Sequence, residues 1–166
     1  MHRRSVLALG AAALAGCAAD ADSDAGPDTE AAEQAIIDGI NDARREATVA
    51  ELTPTDRLHR PAREHSRDMA DRDFYRHVNP DGEDATDRAG CFAGENLHRG
   101  EIGQMQNHGS DETWRTASAD ALAGFVVEGW ELSEEHYRNM IDGQFERVGV
   151  GVAIVDGEFF ATAKFC

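Results

Sequence analysis

From Val148 to Phe165 the chain has little option but to form a β-hairpin. Val148, Val150, Val152 and Ile154 alternate with Gly149, Gly151 and Ala153, and Asp156-Gly157 then precedes the apolar run Phe159 to Phe165. A period of two marks strands with one buried face, and Asp-Gly between them is the strongest short signal for a tight turn. The preceding sequence reads differently. Ile36, Ile40, Ala43 and Ala47 follow a helical period behind Asp28 or Thr29, either of which can cap a helix from Glu30. Thr55 or Asp56 can open a second helix, in which Leu58, Ala62, His65 and Met69 form a stripe, with Pro61 setting the start of its regular part. Leu122, Phe125, Val126 and Trp130 define a third helix over 118–132, and Ser133 opens a short fourth one carrying His136. Helices first and a hairpin last predict an α+β domain with helices packed on an antiparallel sheet.

The first residues stand apart from that domain. Met1-His2-Arg3-Arg4 precedes an apolar run from Ser5 to Ala15 that is too short to span a bilayer. It reads as an export signal over 1–16, of the twin-arginine kind, and Leu14-Ala15-Gly16-Cys17 looks like a lipobox. Lipid on Cys17 would anchor the protein to the outer face of the cytoplasmic membrane; the alternative is a plain signal peptide cleaved nearby. Residues 17–29 read as a disordered acidic tether, leaving one domain over 30–166.

Charge narrows the partners. There are 32 acidic residues against 16 basic ones, and Lys164 is the only lysine. Removal of the first 16 residues, which hold two arginines and no acid, takes the net charge from −16 to −18. Nucleic acid is excluded as a partner, because its binding needs a basic footprint. An acid-rich, lysine-poor surface suits a halophilic protein, since concentrated salt screens the self-repulsion; a genome favouring Arg and Asp codons would also enrich both. The melting temperature is therefore expected to rise from dilute to molar salt. A flat or falling trend in a thermal melt would contradict the halophilic reading. With Cys17 lipidated, Cys91 and Cys166 remain as a disulfide pair on the oxidising side of the membrane, or else as two free thiols.

Candidate chemistry lies in three segments: Phe74-Tyr75-Arg76-His77, Gly94-Glu95-Asn96, and Trp130 through Ser133 to His136. Two imidazoles and a carboxylate can hold a divalent metal with one open position, or form a hydrogen-bonded cluster that stabilises the fold. His65 lies on an apolar stripe and reads as a packed histidine. The polar stretch from Arg99 to Arg115 reads as a surface loop, with His98 and His108 solvated. No His-Glu-x-x-His helix is present, and neither Ser66 nor Ser118 stands as a nucleophile.

Taken in order, His65-Ser66-Arg67-Asp68-Met69-Ala70, Phe74 to His77, Asp87-Arg88-Ala89, Gly94-Glu95-Asn96, Trp130 with His136, and Val148-Gly149-Val150-Gly151 resemble the CAP superfamily in its compact prokaryotic form. This superfamily comprises the cysteine-rich secretory, antigen 5 and pathogenesis-related proteins. The resemblance implies an α-β-α sandwich with a three- to four-stranded antiparallel sheet, and a central cavity holding His77, Glu95 and His136. It also implies a zinc-like divalent cation at the histidines and a lipid or small-molecule ligand elsewhere. A second glutamate found in other members falls at Ser133, while Glu134 and Glu135 are expected to face solvent in a helical first turn. Together these features describe a monomeric, secreted binding module; a metal-dependent hydrolase and a purely structural cluster are the alternatives.

Overall fold

A computed structural model of the chain describes residues 26–91 and 93–166. The export signal, Cys17 and most of the tether lie outside the described residues. Helix α1, Thr29–Glu46, starts at Asp28, whose carboxylate accepts from the amides of Glu30 and Ala31 at 3.0 and 3.1 Å. Its buried face holds Ile36, Ile37, Ile40 and Ala43. Helix α2, Asp56–Asp71, opens after Thr55 as expected, and Pro61 lies inside it rather than marking the start of its regular part. Packing outweighs the single hydrogen bond that proline forfeits, because Leu58, Ala62, His65 and Met69 are all buried. Helix α3, Ala85–Ala89, is followed by α4, Ala119–Glu131, capped by Ser118, and α5, Glu134–Ile141. Ser133 occupies the N-cap of α5, but its hydroxyl makes no capping bond.

The sheet has four strands: β1 (Thr53–Pro54), β2 (Gly94–Glu101), β5 (Arg147–Val155) and β6 (Glu158–Phe165), in the order β1-β5-β6-β2. Strands β5, β6 and β2 are antiparallel; only the two-residue β1 runs parallel to its neighbour. The expected hairpin is β5–β6, and its turn residues Asp156 and Gly157 have φ of 51° and 83°. The second sheet is a minimal pair, β3 (Met105–Gln106) and β4 (Trp114–Arg115), within the stretch expected to be loop.

The alternation along β5 separates two layers. Val148, Val150 and Val152 join the main core with α1 and α4. On the other side a Cβ at Gly149 or Gly151 would lie 2.2 or 2.1 Å from the backbone of α2. The glycines therefore let α2 lie directly on the sheet, and Ser66 locks it there by donating to Gly151 O or Thr162 Oγ1, both at 2.8 Å. The result is the expected α-β-α arrangement. Cys91 and Cys166 are disulfide-bonded across 75 residues, with Cα atoms 6.3 Å apart. Closing a loop of that length contributes roughly 4 kcal/mol in the chain-entropy account.

Candidate functional site

Strand β2 is the edge of the sheet, and its pleat sends consecutive side chains to opposite faces. Glu95 turns toward α2 and α3, whereas Asn96 turns toward α5, donating to His136 O at 2.9 Å and accepting from Asn139 Nδ2 at 2.9 Å. Gly94 passes so close to Phe145 that a Cβ would sit 2.9 Å from its ring. Gly-Glu-Asn is thus one residue for close approach and one for each face. Two further contacts fix the surrounding helices. Trp130 donates to Leu97 O at 3.0 Å, tying α4 to β2. The buried Arg44 guanidinium donates to four carbonyls, those of Ala50, Met140, Asp142 and Phe145, and so holds the end of α5.

At the centre, the Glu95 side chain is 2% exposed and surrounded by donors. Lys164 Nζ lies 2.5 Å from its Oε2, Arg88 Nη2 lies 2.8 Å from the same oxygen, and His77 Nδ1 donates to Oε1 at 3.0 Å. Burial alone would raise the Glu95 pKa. The His77 hydrogen bond, the charge and hydrogen bond of Lys164 and the Arg88 charge outweigh it, holding the value at about 2. Lys164, itself fully buried, is lowered from its usual value by burial despite its partner.

His77 is 53% exposed, on the bend after α2. Because its Nδ1 proton is given to Glu95, its Nε2 carries the lone pair in the neutral ring. His136, in the first turn of α5, lies near enough for electrostatic coupling: burial first, then the His77 charge, lowers its pKa. The sequence left His77, Glu95 and His136 open as a metal site or as a hydrogen-bonded cluster. Among the described residues no three His, Cys, Asp or Glu side chains are grouped to hold a metal ion. Both Glu95 oxygens are already engaged by Lys164, Arg88 and His77. His77 and His136 remain within electrostatic reach of each other, and Glu95, by accepting from His77 Nδ1, fixes the tautomer of that ring.

Other expectations resolve differently. His65 is buried as read, its Nε2–H donating to Arg76 O at 3.2 Å, and burial lowers its pKa to about 4. Glu134 and Glu135 face solvent as expected. His98 and His108 are not solvated: their rings stack on Phe125 at centroid distances of 5.0 and 4.1 Å, and His108 Nε2 lies 2.8 Å from Phe125 O. Gly129 makes this packing fit, since a Cβ there would be 2.7 Å from His98 Nε2. Arg88 and Lys164 were missed as site residues. For Lys164 the signal was a lone lysine inside a strand otherwise built mostly of apolar and small residues.

The chain belongs to the CAP family, the cysteine-rich secretory protein family, whose sequence profile matches residues 37–165. Among solved structures, an outer surface protein from Borrelia burgdorferi matches with 16% identity and a TM-score of 0.66, over 85% of this chain and 96% of that one. An extracellular SCP-domain protein from Bacillus anthracis matches with 26% identity and a TM-score of 0.58, over 82% of this chain but only 40% of that one. NaASP2, solved with Zn2+, matches with 14% identity and a TM-score of 0.57, over 86% of this chain and 82% of that one. No protein of curated function matches the chain.

Proposed function

We propose that this is an extracytoplasmic CAP-domain binding module, tethered by lipid at Cys17, whose imidazole pair His77 and His136 takes up a divalent cation weakly and reversibly. The observation that carries this reading is the clamp on Glu95. A carboxylate facing Lys164 and Arg88 is neither a spare metal ligand nor a general base, whereas one that accepts from His77 Nδ1 leaves Nε2 free for a cation. When bound, the cation would supply a Lewis-acidic point between the two rings. The zinc in the NaASP2 structure supports the choice of ion. The outer-surface and extracellular relatives, with the Cys91–Cys166 bridge, support the location.

Hydrolysis fits this arrangement less well, because Glu95 is held by two cations and Ser133 stands where another carboxylate would be needed. A purely structural role for the cluster keeps one specific observation in its favour, the complete burial of Lys164 against Glu95. Calorimetric titration with zinc in high salt separates the two. The parent protein should give saturable heat that a His77→Ala/His136→Ala variant lacks. Equal heats from both proteins would leave the cluster structural.

A further inference from the structure

Residues 102–116, with β3 and β4 inside them, form a strap laid across α4. Three side chains hold it there. Trp114 packs directly on Gly124, where a Cβ would collide with the indole, and its Nε1–H donates to Glu128 Oε2 at 2.7 Å. Ser110 donates to the other oxygen of Glu128 at 2.6 Å. His108 stacks on Phe125, with its Nε2 2.8 Å from Phe125 O. His98 of β2 meets it from the sheet: the two ring centroids are 5.0 Å apart and the two Nε2 atoms 3.4 Å apart.

This pair accommodates one proton on each ring and has no place for a third. Arg99 N–H donates to His98 Nδ1 at 2.9 Å, so the proton of the neutral His98 ring sits on Nε2 and faces His108. A further proton on His98 must go to Nδ1, where it meets the Arg99 N–H and breaks that bond. A further proton on His108 sets its charge against the His98 Nε2–H. The surroundings do nothing to offset such a charge. His136 of α5 adds another imidazole, while α4 and β6 turn Phe125 and Phe159 to the His98 ring. The Arg99 guanidinium is turned to Tyr75, 5.1 Å from its ring, and Glu128 is taken up by Ser110 and Trp114. Burial first, then the charges of His108 and His136, outweigh the Phe125 carbonyl and keep His98 neutral down to about pH 3 while the strap is in place. Lifting the strap takes His108 away and opens His98 to water, which returns it toward the ordinary 6.5. The open form then binds the extra proton, so the hold on the strap is complete above about pH 6.5 and weakens as the pH falls toward 3.

We infer that the His98–His108 pair is an acid-sensitive latch, whose protonation releases the strap from α4 and uncovers the surface around Gly124 and Phe125 while the rest of the fold stays in place. The latch does not require a cation at His77 and His136.

The two tryptophans of the chain report on strap and core separately. The Trp114 indole N–H is held by Glu128 on the strap, and the Trp130 indole N–H by Leu97 O in the core. Hydrogen exchange of both groups, followed by NMR on the 15N-labelled full chain at fixed high salt and corrected for the intrinsic effect of pH, gives an opening constant for each. From pH 7.5 to 5.5 that of Trp114 should rise about tenfold relative to that of Trp130. His98→Phe, which keeps a stacked ring but takes no proton, should remove this rise and leave Trp114 protected at pH 7.5. Where that variant fails to fold, His98→Gln serves the same comparison. Equal changes at both indoles overturn the proposal, since they mark opening of the whole domain, and so does a tenfold rise that survives the loss of the His98 imidazole.

Discussion

Replacing Lys164 with methionine should lower the unfolding free energy by about 3–5 kcal/mol, the usual cost of removing one partner from a buried ion pair. Lys164 and Glu95 sit directly opposite each other on β6 and β2, both shielded from water, at 2.5 Å. The variant leaves Glu95 with Arg88 as its only permanent cation. Adding Glu95→Gln to Lys164→Met should recover a good part of the loss, because a neutral amide can still accept from Arg88 without a buried charge to compensate. Urea unfolding of the single and double variants, in constant high salt, measures both effects. A Lys164→Met protein within about 1 kcal/mol of the parent would show that the pair is not a structural clamp.

Mild acid should destabilise the domain well before the carboxylates that face solvent become protonated. In the unfolded chain His65 and His98 gain a proton below about pH 6.5. In the fold, burial first of all holds them neutral down to about pH 4 and about pH 3 respectively; for His98 the charges of His108 and His136 act in the same sense. The unfolded state therefore binds more protons throughout this interval, and stability falls as pH falls. Each ring costs about 1.4 kcal/mol per pH unit, so two rings remove on the order of 4 kcal/mol between pH 6.5 and 5. Glu95 adds a later loss. Its folded pKa of about 2 lies below its ordinary 4.5, so its stabilisation is complete above the latter and disappears as pH drops toward the former. Urea midpoints measured from pH 7 to 5 at fixed salt should fall steeply; a flat profile would mean that the two rings titrate as if exposed.

The parts of the fold that were legible in the sequence rest on local chemistry. Asp156-Gly157 supplies the positive φ values its turn needs, and Asp28 and Ser118 cap their helices through contacts a few residues away. The β5 glycines were visible as an alternation, but their purpose was not. That purpose depends on which helix crosses the strand, which no local pattern reports. The same limit explains the site. His77, Glu95 and His136 were found because each lies in a recognisable short segment. Lys164 was noted only as the sole lysine, since its role follows from the pairing of β2 with β6. Arg88 required the placement of α3. His98 and His108 were misread as solvated because their neighbours in sequence are polar, whereas their neighbours in space are Phe125 and Gly129.

The tautomer of His77, read by 15N NMR of the ring nitrogens as zinc is added at neutral pH and high salt, tests the clamp and the imidazole pair together. Before zinc, Nδ1 should carry the proton and Nε2 the lone pair, as the 3.0 Å contact to Glu95 requires. Zinc should then shift Nε2 of His77 along with a ring nitrogen of His136, while Glu95→Gln weakens binding by about 10- to 100-fold without abolishing it. A His77 ring protonated at Nε2, or zinc binding that vanishes with Glu95→Gln while surviving His77→Ala, would contradict the account.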